Sequence, residues 1–404
     1  MKFKKLVLVL NCGSSSLKFS IQNIDNNTEY LSGIVECLYL RQSRIKWYIN
    51  NNCYQKIIGD KVTHFDAFKF IKKEILDCEK NIFNYIIGIG HRVVHGGVEL
   101  KRSTIIDISV IKEIKRAIIF SPIHNPVNIM SIELSLKMFP QLSKKNVAVF
   151  DTSFYGKLPK EAYLYAIPYY LYTKYGIRRY GAHGISHNYI MTVTSGILKK
   201  SIQQLNIISC HLGNGASISA IYNGVCIDTS MGLSPLEGLV MGSRSGDIDP
   251  SIIFFLHETL KMSMKDINHI LISKSGLLGL SGISSDFRNV EAQFDVNIQA
   301  QQAIQVFCYR IKKYISSYFS LMKGRLDAII FTGGIGEHSS LVRQLSLDSI
   351  SLFGQITIDN SKNISLINKN YNFINDRNSI PILVIPTNEE LFIAQEVIKC
   401  INNN

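Results

Sequence analysis

"LVLVLNCGSSSLKFSI", residues 6–21, begins with five consecutive apolar residues and continues through Asn, Cys, Gly and three serines into a second apolar stretch. A short apolar run that ends in a turn signal predicts a buried strand. The turn supplies hydroxyl and amide donors and is followed by one cation, Lys18, but it contains no carboxylate. Such a set suits an anion such as phosphate. An ordinary polar hairpin explains the same residues, because Gly and Ser favour turns.

Similar strand-like runs lead into turn-rich polar segments further along the chain. They cover residues 85–97, 145–154, 205–224, 326–340 and 380–398. Helical patterns lie between them at 64–78, 128–139 and 300–322. Strands that alternate with helices predict an α/β fold. Residues 39–61 predict a hairpin with an Asn-Asn turn.

Length and composition describe an ordinary globular protein. The chain has 404 residues, with 46% hydrophobic and 19% charged residues, so two domains are the expectation. No apolar run approaches the roughly 18–20 residues of a membrane span. The N-terminal "MKFKKLVLVLNCG" has too short an apolar run for a signal peptide. We therefore expect a cytoplasmic protein with no membrane partner.

The net charge of +13 admits nucleic acid or an anionic small substrate as partner. The lysines are spread along the chain and form no stripe, which also fits a biased genome composition, so no nucleic acid partner is expected. Eight scattered cysteines without a C-x-x-C pair exclude a disulfide framework or a zinc site. Cys12, Cys210 and Cys226 are predicted to be small buried residues.

Two further Gly-rich stretches, "HLGNGASIS" (211–219) and "FTGGIGEHSS" (331–340), each follow a strand-like run. Both are predicted as loops whose backbone N–H groups surround an anion, the second leading into a helix. The P-loop and dinucleotide-binding glycine motifs do not occur. Three Gly-rich loops after strands indicate a nucleotide phosphate site, although each alone fits an ordinary turn.

Cations and carboxylates occupy similar positions. Arg92, Arg244 and His183 lie in separate Gly-flanked loops without an evident acidic helix partner, which favours an anionic transition state over surface ion pairs. Asp151 follows a strand, where it either orients a reacting group or stabilises a turn. Asn11 and Glu389 supply oxygens suited to Mg²⁺, although Glu389 also fits a helix N-terminus.

Taken together, these motifs resemble the acetokinase family, in sequence and in order, over residues 6–396. The resemblance is carried by the stretches "LVLNCGSSSLKF", "GHRVVHGG", "SPIHNPVN", "VAVFDTSF", "IRRYGAHGISH", "CHLGNGAS", "DTSMGLSPLEGLVMGSRSGDIDP", "SGLLGLSGISSDFR", "DAIIFTGGIGEHS" and "IPTNEELFIAQ".

The resemblance implies an α/β fold of the acetate and sugar kinase, heat-shock ATPase and actin superfamily. Two ribonuclease-H-like domains are expected, with an ATP cleft between them: residues 1–151 completed by 387–404, and residues 152–386. The implied activity is reversible, direct in-line transfer of the ATP γ-phosphoryl group to acetate, giving acetyl phosphate and ADP. Mg²⁺, with Mn²⁺ as a substitute, and a homodimer are implied as well.

The resemblance also implies roles for individual residues. Catalytic roles fall to Asp151, His183 and Arg244. Substrate contacts fall to Arg92, Val94, Ile123, Ala182 and Pro235. Nucleotide contacts fall to Lys18, His211, Leu212, Gly213, Asn214, Gly215, Asp286, Phe287, Arg288, Gly333, Gly334, Ile335, Gly336 and Glu337. Magnesium contacts fall to Asn11 and Glu389.

Two positions depart from the pattern of many relatives. Tyr155 replaces a His outside the motif core, with little effect expected. Ala182 stands where some relatives carry Phe, which predicts a wider acyl pocket and only partial exclusion of propionate. A propionate or other short-chain acyl kinase is therefore one alternative, and a non-catalytic nucleotide-binding protein of the same fold is another.

Acetate is already an anion, so Asp151 is expected to orient groups more than to abstract a proton.

Overall fold

The computed structural model describes residues 5–49, 52–78, 82–348, 350 and 356–403. The chain divides into two compact units, residues 1–156 with 388–404, and residues 157–387, which we call the N-terminal unit and the central unit. The domain bounds implied by the family resemblance stay a prediction. Among the described residues, the helices are all too short or too polar to cross a membrane.

The N-terminal unit is built on an eight-stranded sheet. Its strands are β1 (Leu6–Cys12), β2 (Leu17–Asn23), β3 (Thr28–Glu36), β4 (Ser43–Ile49), β5 (Asn52–Gly59), β6 (Ile86–Val93), β7 (Thr104–Ile105) and β8 (Asn146–Phe150). The order across the sheet is β5-β4-β3-β2-β1-β6-β8-β7. β1, β6 and β8 run parallel, and β1 to β5 form an antiparallel meander.

Helices of this unit cover the sheet. They are α1 (His64–Phe70), α2 (Ile108–Arg116), α3 (Asn125–Met138) and the C-terminal α15 (Glu389–Asn402). A π-helical turn (Ile71–Leu76) continues α1, and 3₁₀ turns cover Ile82–Tyr85, Ala117–Ile119, Pro140–Lys145 and Asp151–Tyr155. The helix predicted at 64–78 is therefore an α-helix followed by a π-helical turn.

The central unit is built on a six-stranded sheet. Its strands are β9 (Ile207–Leu212), β10 (Ala216–Tyr222), β11 (Val225–Thr229), β12 (Ala328–Thr332), β13 (Asn372–Phe373) and β14 (Ile382–Val384). The order is β11-β10-β9-β12-β14-β13, and β9, β12 and β14 run parallel.

The helices of the central unit are mostly short. They are α4 (Lys160–Tyr163), α5 (Tyr170–Tyr175), α6 (Gly184–Ile197), α7 (Ser251–Phe254), α8 (Met264–His269), α9 (Gly276–Ser281), α10 (Phe287–Glu291), α11 (Ile298–Leu321), α12 (Gly333–His338), α13 (Ser340–Leu347) and α14 (Asn360–Ile364). A 3₁₀ turn covers Ile202–Gln204, and π-helical turns cover Phe255–Thr259 and Ile270–Lys274. The long α11 packs its apolar side into the core of this unit.

Both sheets share one strand pattern. Three antiparallel strands come first, and two strands parallel to the first of them are then added on its other side, giving β3-β2-β1-β6-β8 in one unit and β11-β10-β9-β12-β14 in the other. Helical segments connect the parallel strands, as parallel pairing requires. The predicted α/β fold with two ribonuclease-H-like sheets is confirmed.

The opening stretch forms the predicted buried strand and hairpin. The side chains of Leu6 to Leu10 are buried, and β1 pairs with β2 through a turn closed by the Gly13 N–H, which donates to the Ser16 carbonyl at 2.9 Å. The hairpin predicted at 39–61 is present as β4 and β5, and residues 50–51 of its turn lie outside the described residues.

The Gly-rich stretches differ from simple loops. Residues 213–215 form the turn of the β9–β10 hairpin, in which Gly213 N–H donates to the Gly215 carbonyl at 3.1 Å. The stretch at 331–340 was expected to form a loop before a helix, and this was wrong because α12 begins at Gly333 itself. Gly333 has φ 77°, and a side chain there would come within 2.8 Å of the Leu212 carbonyl oxygen, so glycine permits the abrupt turn.

Candidate active site

The three parallel strands of the N-terminal unit end at the same edge of its sheet. Asn11 lies at the end of β1, Arg92 at the end of β6, and Asp151 directly after β8. The pairing of Leu10 with His91 and of Arg92 with Val149 puts these ends side by side. Ligand sites in α/β folds form at such carboxyl edges.

Packing of α15 on β6 explains how the helix brings a carboxylate to Arg92. Gly88, Gly90 and Arg92 alternate along β6 and so share one face of the sheet. A side chain at Gly88 would come within 2.7 Å of Ile401 and Val397, and one at Gly90 within 2.5 Å of Ile393.

Ile401, Val397, Ile393 and Glu389 follow one another at four-residue intervals on α15. Four helical residues rise about 6.0 Å, and two strand residues span about 6.6 Å. Because these two repeats are nearly equal, successive residues of this helix face lie opposite successive residues of the strand face. Glu389, the last in this row, therefore reaches Arg92.

Arg92 lies between two carboxylates. Its Nε and Nη2 donate to Asp151 Oδ2 at 3.2 and 3.0 Å, and its Nη1 lies 3.3 Å from Glu389 Oε2. The side chains are 20%, 2% and 15% exposed for Arg92, Asp151 and Glu389. Burial alone would lower the pKa of Arg92, but the two carboxylates outweigh it and raise the pKa. The expectation that Arg92 lacks an acidic helix partner was wrong, because Glu389 is the first residue of α15.

Asn11 and Lys18 occupy paired positions across the β1–β2 hairpin. Asn11 is half-buried and Lys18 is exposed at the start of β2. Burial raises the pKa of Glu390, and the negative charge of Glu389 adds to this effect. The positive charges of Lys18 and Arg92 act in the opposite direction and lower the pKa. Lys18 therefore adds positive charge to an edge that carries three carboxylates.

Val94 and Ile123, two of the predicted acyl-pocket residues, belong to the N-terminal unit. The backbone N–H of Val94 donates to Asn128 Oδ1 at 3.2 Å, which fixes the chain just after β6. Ile123 precedes α3 and is 56% exposed. Their role as acyl contacts stays a prediction.

In the central unit, all three predicted nucleotide-binding segments line one cavity of about 630 Å³. The lining residues are Gly213, Asn214, Ser285, Asp286, Phe287, Arg288, Glu291, Gly334, Ile335, His338 and Ser339. Cavities of this size hold small-molecule ligands. The contributions of Ser285, Glu291, His338 and Ser339 were missed, because each depends on how distant helices meet.

Other predicted nucleotide contacts lie outside that lining. The Glu337 carboxylate bonds to backbone groups of this unit. Its Oε1 accepts from the N–H of Gly333, at the start of the same helix, at 2.9 Å and from the N–H of Thr387, after β14, at 3.1 Å. Leu212 and Gly336 pack where α12 meets β9. His211 Nδ1 lies 2.8 Å from Ser186 Oγ. Glu337 therefore holds α12 at the end of β14.

His183, Gly215 and Arg244 come together beside the β9–β10 turn. A methyl group on Gly215 would lie 3.3 Å from His183 Nε2 and 3.7 Å from Arg244 Nη1. His183 is the N-cap residue of α6 and has φ 57°, a left-handed conformation that costs a non-glycine residue about 1–3 kcal/mol. The structure thus brings together two of the three predicted catalytic residues.

Arg244 is a half-buried cation held by neutral groups. Its Nη1 donates to the Pro235 carbonyl at 3.0 Å and contacts the Met241 sulfur at 3.8 Å. Across the described ranges, no carboxylate lies within ion-pair distance of this guanidinium. Burial lowers the pKa of Arg244. The site therefore carries a positive charge that suits an anionic ligand.

Ser217 joins two histidines of this site and was missed from the sequence. Its hydroxyl lies 3.0 Å from His183 Nδ1 and 2.8 Å from His187 Nε2, and His187 Nδ1 lies 2.8 Å from Ser209 Oγ. Burial, with a smaller contribution from His211, lowers the pKa of His187 well below its usual value, so His187 is neutral. The available signal was the alternation of side chains at the start of β10. It places Ser217, two residues after Gly215, on the same side of the strand as Gly215.

Ala182 and Pro235, the other predicted acyl-pocket residues, belong to the central unit. Ala182 is buried in the apolar core of this unit, directly before His183. The Pro235 carbonyl accepts from Arg244. The effect of Ala182 on substrate size stays a prediction.

The sequence pattern of the acetokinase family matches residues 6–395. The chain belongs to the acetokinase family. It is 54% identical over 401 residues to the acetate kinase of Buchnera aphidicola subsp. Acyrthosiphon pisum, covering 99% of both chains. It is 53% identical over 392 residues to the acetate kinase of Escherichia coli K12, covering 97% of this chain and 98% of the relative.

Solved structures of family members resemble this one along nearly the whole chain. A Porphyromonas gingivalis acetate kinase matches with TM-score 0.91 and 36% identity, covering 98% of this chain and all of the other. A Francisella tularensis propionate kinase matches with TM-score 0.90 and 40% identity, covering 97% and 98%. These two neighbours are named for different acyl substrates, acetate for the first and propionate for the second.

Proposed function

We propose that this protein reversibly transfers the γ-phosphoryl group of ATP to acetate in one direct in-line step, giving acetyl phosphate and ADP. The half-buried Arg244 beside His183, held by neutral groups, carries the proposal. Charge develops on the phosphoryl oxygens during transfer, and preoriented donors stabilise it. High identity to proteins named acetate kinase supports acetate as the acceptor.

Arg92 is proposed to bind the carboxylate of acetate. A guanidinium has five N–H donors, and Asp151 and Glu389 face three of its nitrogens without using every proton. The remaining donors suit a third carboxylate, that of acetate. Acetate is ionised near neutral pH, because carboxyl groups ionise near pH 4. The reaction therefore needs no proton abstraction from acetate. Asp151, which accepts two hydrogen bonds from Arg92, is proposed to hold the guanidinium in place.

ATP is proposed to bind in the central unit. The cavity described above provides the space, and Phe287 and Ile335 give it apolar surface for a base. Its lining comes from Gly213 and Asn214, residues 285–288 with Glu291, Gly334 and Ile335, and His338 and Ser339. His183 and Arg244 lie beside Gly215, next to the cavity residue Asn214. Transfer then requires mainly positioning of the phosphoryl group and neutralisation of its oxygens.

The donor set suits Mg²⁺, with Mn²⁺ as a substitute. Within the described residues, no group of three or more His, Cys, Asp or Glu could hold a metal. Mg²⁺ in phosphoryl-transfer sites keeps several waters and needs only one or two protein oxygens. The Asn11 amide and the Glu389 carboxylate, at the edge that carries Arg92, would supply them. The ion would neutralise phosphate charge.

The proposed activity is tested with purified protein, ATP, Mg²⁺ and acetate, propionate or butyrate, with acyl phosphate trapped as the hydroxamate. Strong turnover of acetate with weaker turnover of propionate is expected. Equal or faster turnover of propionate would favour a propionate kinase, which the Francisella tularensis structure and Ala182 make the second candidate. ATP binding without any acyl phosphate would indicate a non-catalytic nucleotide-binding protein.

A homodimer is also proposed, on the family resemblance. Exposed apolar side chains such as Phe254, Phe255 and Tyr170 supply surface for association. Light scattering of the purified protein at micromolar concentration should give twice the mass of 45.6 kDa. A mass of one chain would contradict the proposal.

A further inference from the structure

The segment that carries Arg244 contains an aspartate to which neither the family resemblance nor the reaction assigns a role. Arg244 lies between β11 and α7, in a stretch of some twenty residues without helix or strand. A guanidinium that acts by position needs a rigid support, because a misplacement of about 1 Å costs up to about 100-fold in rate.

Asp247, three residues after Arg244, closes this segment into a ring. Its Oδ1 accepts from the Gly238 N–H at 2.7 Å, and its own N–H donates to the Gly238 carbonyl at 2.9 Å. Gly246 has φ 68°, and a side chain there would come within 2.4 Å of the Leu239 carbonyl oxygen. The two hydrogen bonds between Gly238 and Asp247 therefore close residues 238–247 into a ring, which we call the Arg244 ring.

The long helix α11 anchors the Arg244 ring. Tyr314 donates its hydroxyl to Asp247 Oδ2 at 2.8 Å, and Arg310 Nη1 lies 3.3 Å from the same oxygen and donates to the Asp247 carbonyl at 3.2 Å. Arg310 and Tyr314 are four residues apart and so share one face of α11. The apolar side of the helix is buried in the core, so the helix is a fixed reference for the ring.

Inside the ring, a further bond sets the position of Arg244. Its carbonyl accepts from the Met241 N–H at 3.2 Å, and its Nη1 reaches the Pro235 carbonyl. The contacts run from α11 through Asp247 and the ring backbone to the guanidinium.

We propose that Asp247 is a positioning residue, which with Tyr314 holds the Arg244 guanidinium in the place that phosphoryl transfer requires. The inference rests on the proposed function for its kinetic consequences only. The structural part of the inference, that the Arg244 side chain moves when Asp247 is replaced, does not depend on any enzymatic activity.

The kinetic test compares Asp247→Ala with Asp247→Asn in the hydroxamate assay. Asp247→Ala should lower kcat by about 10- to 100-fold with little change in the KM for ATP. Asn keeps the acceptor for Gly238 and offers its amide to Tyr314, but it loses the ion pair with Arg310. That pair is partly exposed and contributes little, so Asp247→Asn should stay within about fivefold of the parent. Tyr314→Phe, which removes one anchor, should fall between them.

A double-mutant cycle separates positioning from a general loss of structure. If Asp247 acts through Arg244, Asp247→Ala should change kcat little in an Arg244→Ala background, because interacting residues are not additive. The same fold loss in both backgrounds would overturn the proposal, as would full activity of Asp247→Ala.

A crystal structure of Asp247→Ala gives an answer that needs no activity. The contact of Arg244 Nη1 with the Pro235 carbonyl, 3.0 Å here, should be lost. The same contact at the same distance would overturn the proposal. If the alanine variant does not fold, the structure of Tyr314→Phe serves the same purpose. An inactive parent protein would refute the proposed function and leave this structural test intact.

Discussion

Replacing Arg244 by Ala should separate activity from stability. In the described residues its guanidinium meets a carbonyl and a thioether and no carboxylate, so its removal breaks no ion pair and leaves no carboxylate unpaired. Burial of an uncompensated charge is unfavourable, so the free energy of unfolding should stay the same or rise.

The loss of activity should be large. A transition-state cation or oxyanion donor contributes about 10²–10⁴ in kcat, which is about 2.7–5.4 kcal/mol at 1.36 kcal/mol per tenfold. The hydroxamate assay at saturating ATP and acetate measures kcat, and thermal unfolding followed by circular dichroism measures Tm. We expect kcat to fall by this factor while Tm is unchanged or higher.

Arg343 is the matched control, because it is a buried arginine of the same unit with a structural role. It donates to Asn363 Oδ1 and carbonyl, each at 2.7 Å, and to the carbonyls of Gly336 and Glu337 at 2.9 and 3.0 Å. Arg343→Ala should cost on the order of 3–5 kcal/mol. At about 2–4 °C per kcal/mol, Tm should fall by about 6 °C or more.

Two results would refute this reasoning. An unchanged kcat in Arg244→Ala would remove Arg244 from the mechanism. A fall in Tm similar to that of Arg343→Ala would show that Arg244 mainly stabilises the fold.

Three further changes test the packing and the titration behaviour. Gly215→Ala places a methyl group 3.3 Å from His183 Nε2, so kcat should fall about tenfold with Tm nearly unchanged. Gly90→Ala places one 2.5 Å from Ile393, so α15 must shift; overpacking costs about 1–3 kcal/mol, and Tm should fall while the KM for acetate rises. Burial lowers the pKa of His91 to about 4 from about 6.5, so the stability that its neutral form provides is present above pH 6.5 and is lost as pH falls toward 4, and Tm should fall over that interval.

Each of these has a control or a contrary outcome. Gly196, in α6, has no neighbour within 4 Å of an added methyl group, so Gly196→Ala should raise Tm slightly and leave KM unchanged. Equal Tm values for the Gly90 and Gly196 variants would contradict close packing of α15 on β6. For His91, replacement by Asn should flatten the fall of Tm between pH 6.5 and 4, and an equally steep fall would assign it to other groups.

The sequence predicted local structure well, because its signals are local. Apolar runs that end in turns predicted β1, β6, β8, β9 and β12, and the buried state of Cys12 and Cys210 follows from the same runs. Cys226 is buried in β11, as its strand-like context predicted. The start of α12 at Gly333 was not predicted, since it depends on a close approach to the backbone of Leu212 in another strand.

Predictions about the site were limited by contacts between distant segments. Arg92 was singled out by its residue type, but its pairing with Glu389 depends on the C-terminal helix returning to β6, almost 300 residues later. Asp247 and Tyr314 were not distinguished from ordinary polar residues for the same reason. Spacing along the chain does not show which residues a turn in a loop brings to a helix.

The measurement that tests the central claim most directly is ³¹P NMR of the purified protein with ATP, Mg²⁺ and ¹³C-labelled acetate. We predict a resonance of acetyl phosphate, coupled to the labelled carboxyl carbon, that grows as ADP forms and is lost when Arg244→Ala replaces the parent protein. Formation of ADP and inorganic phosphate without that resonance, or no consumption of ATP at all, would contradict the account.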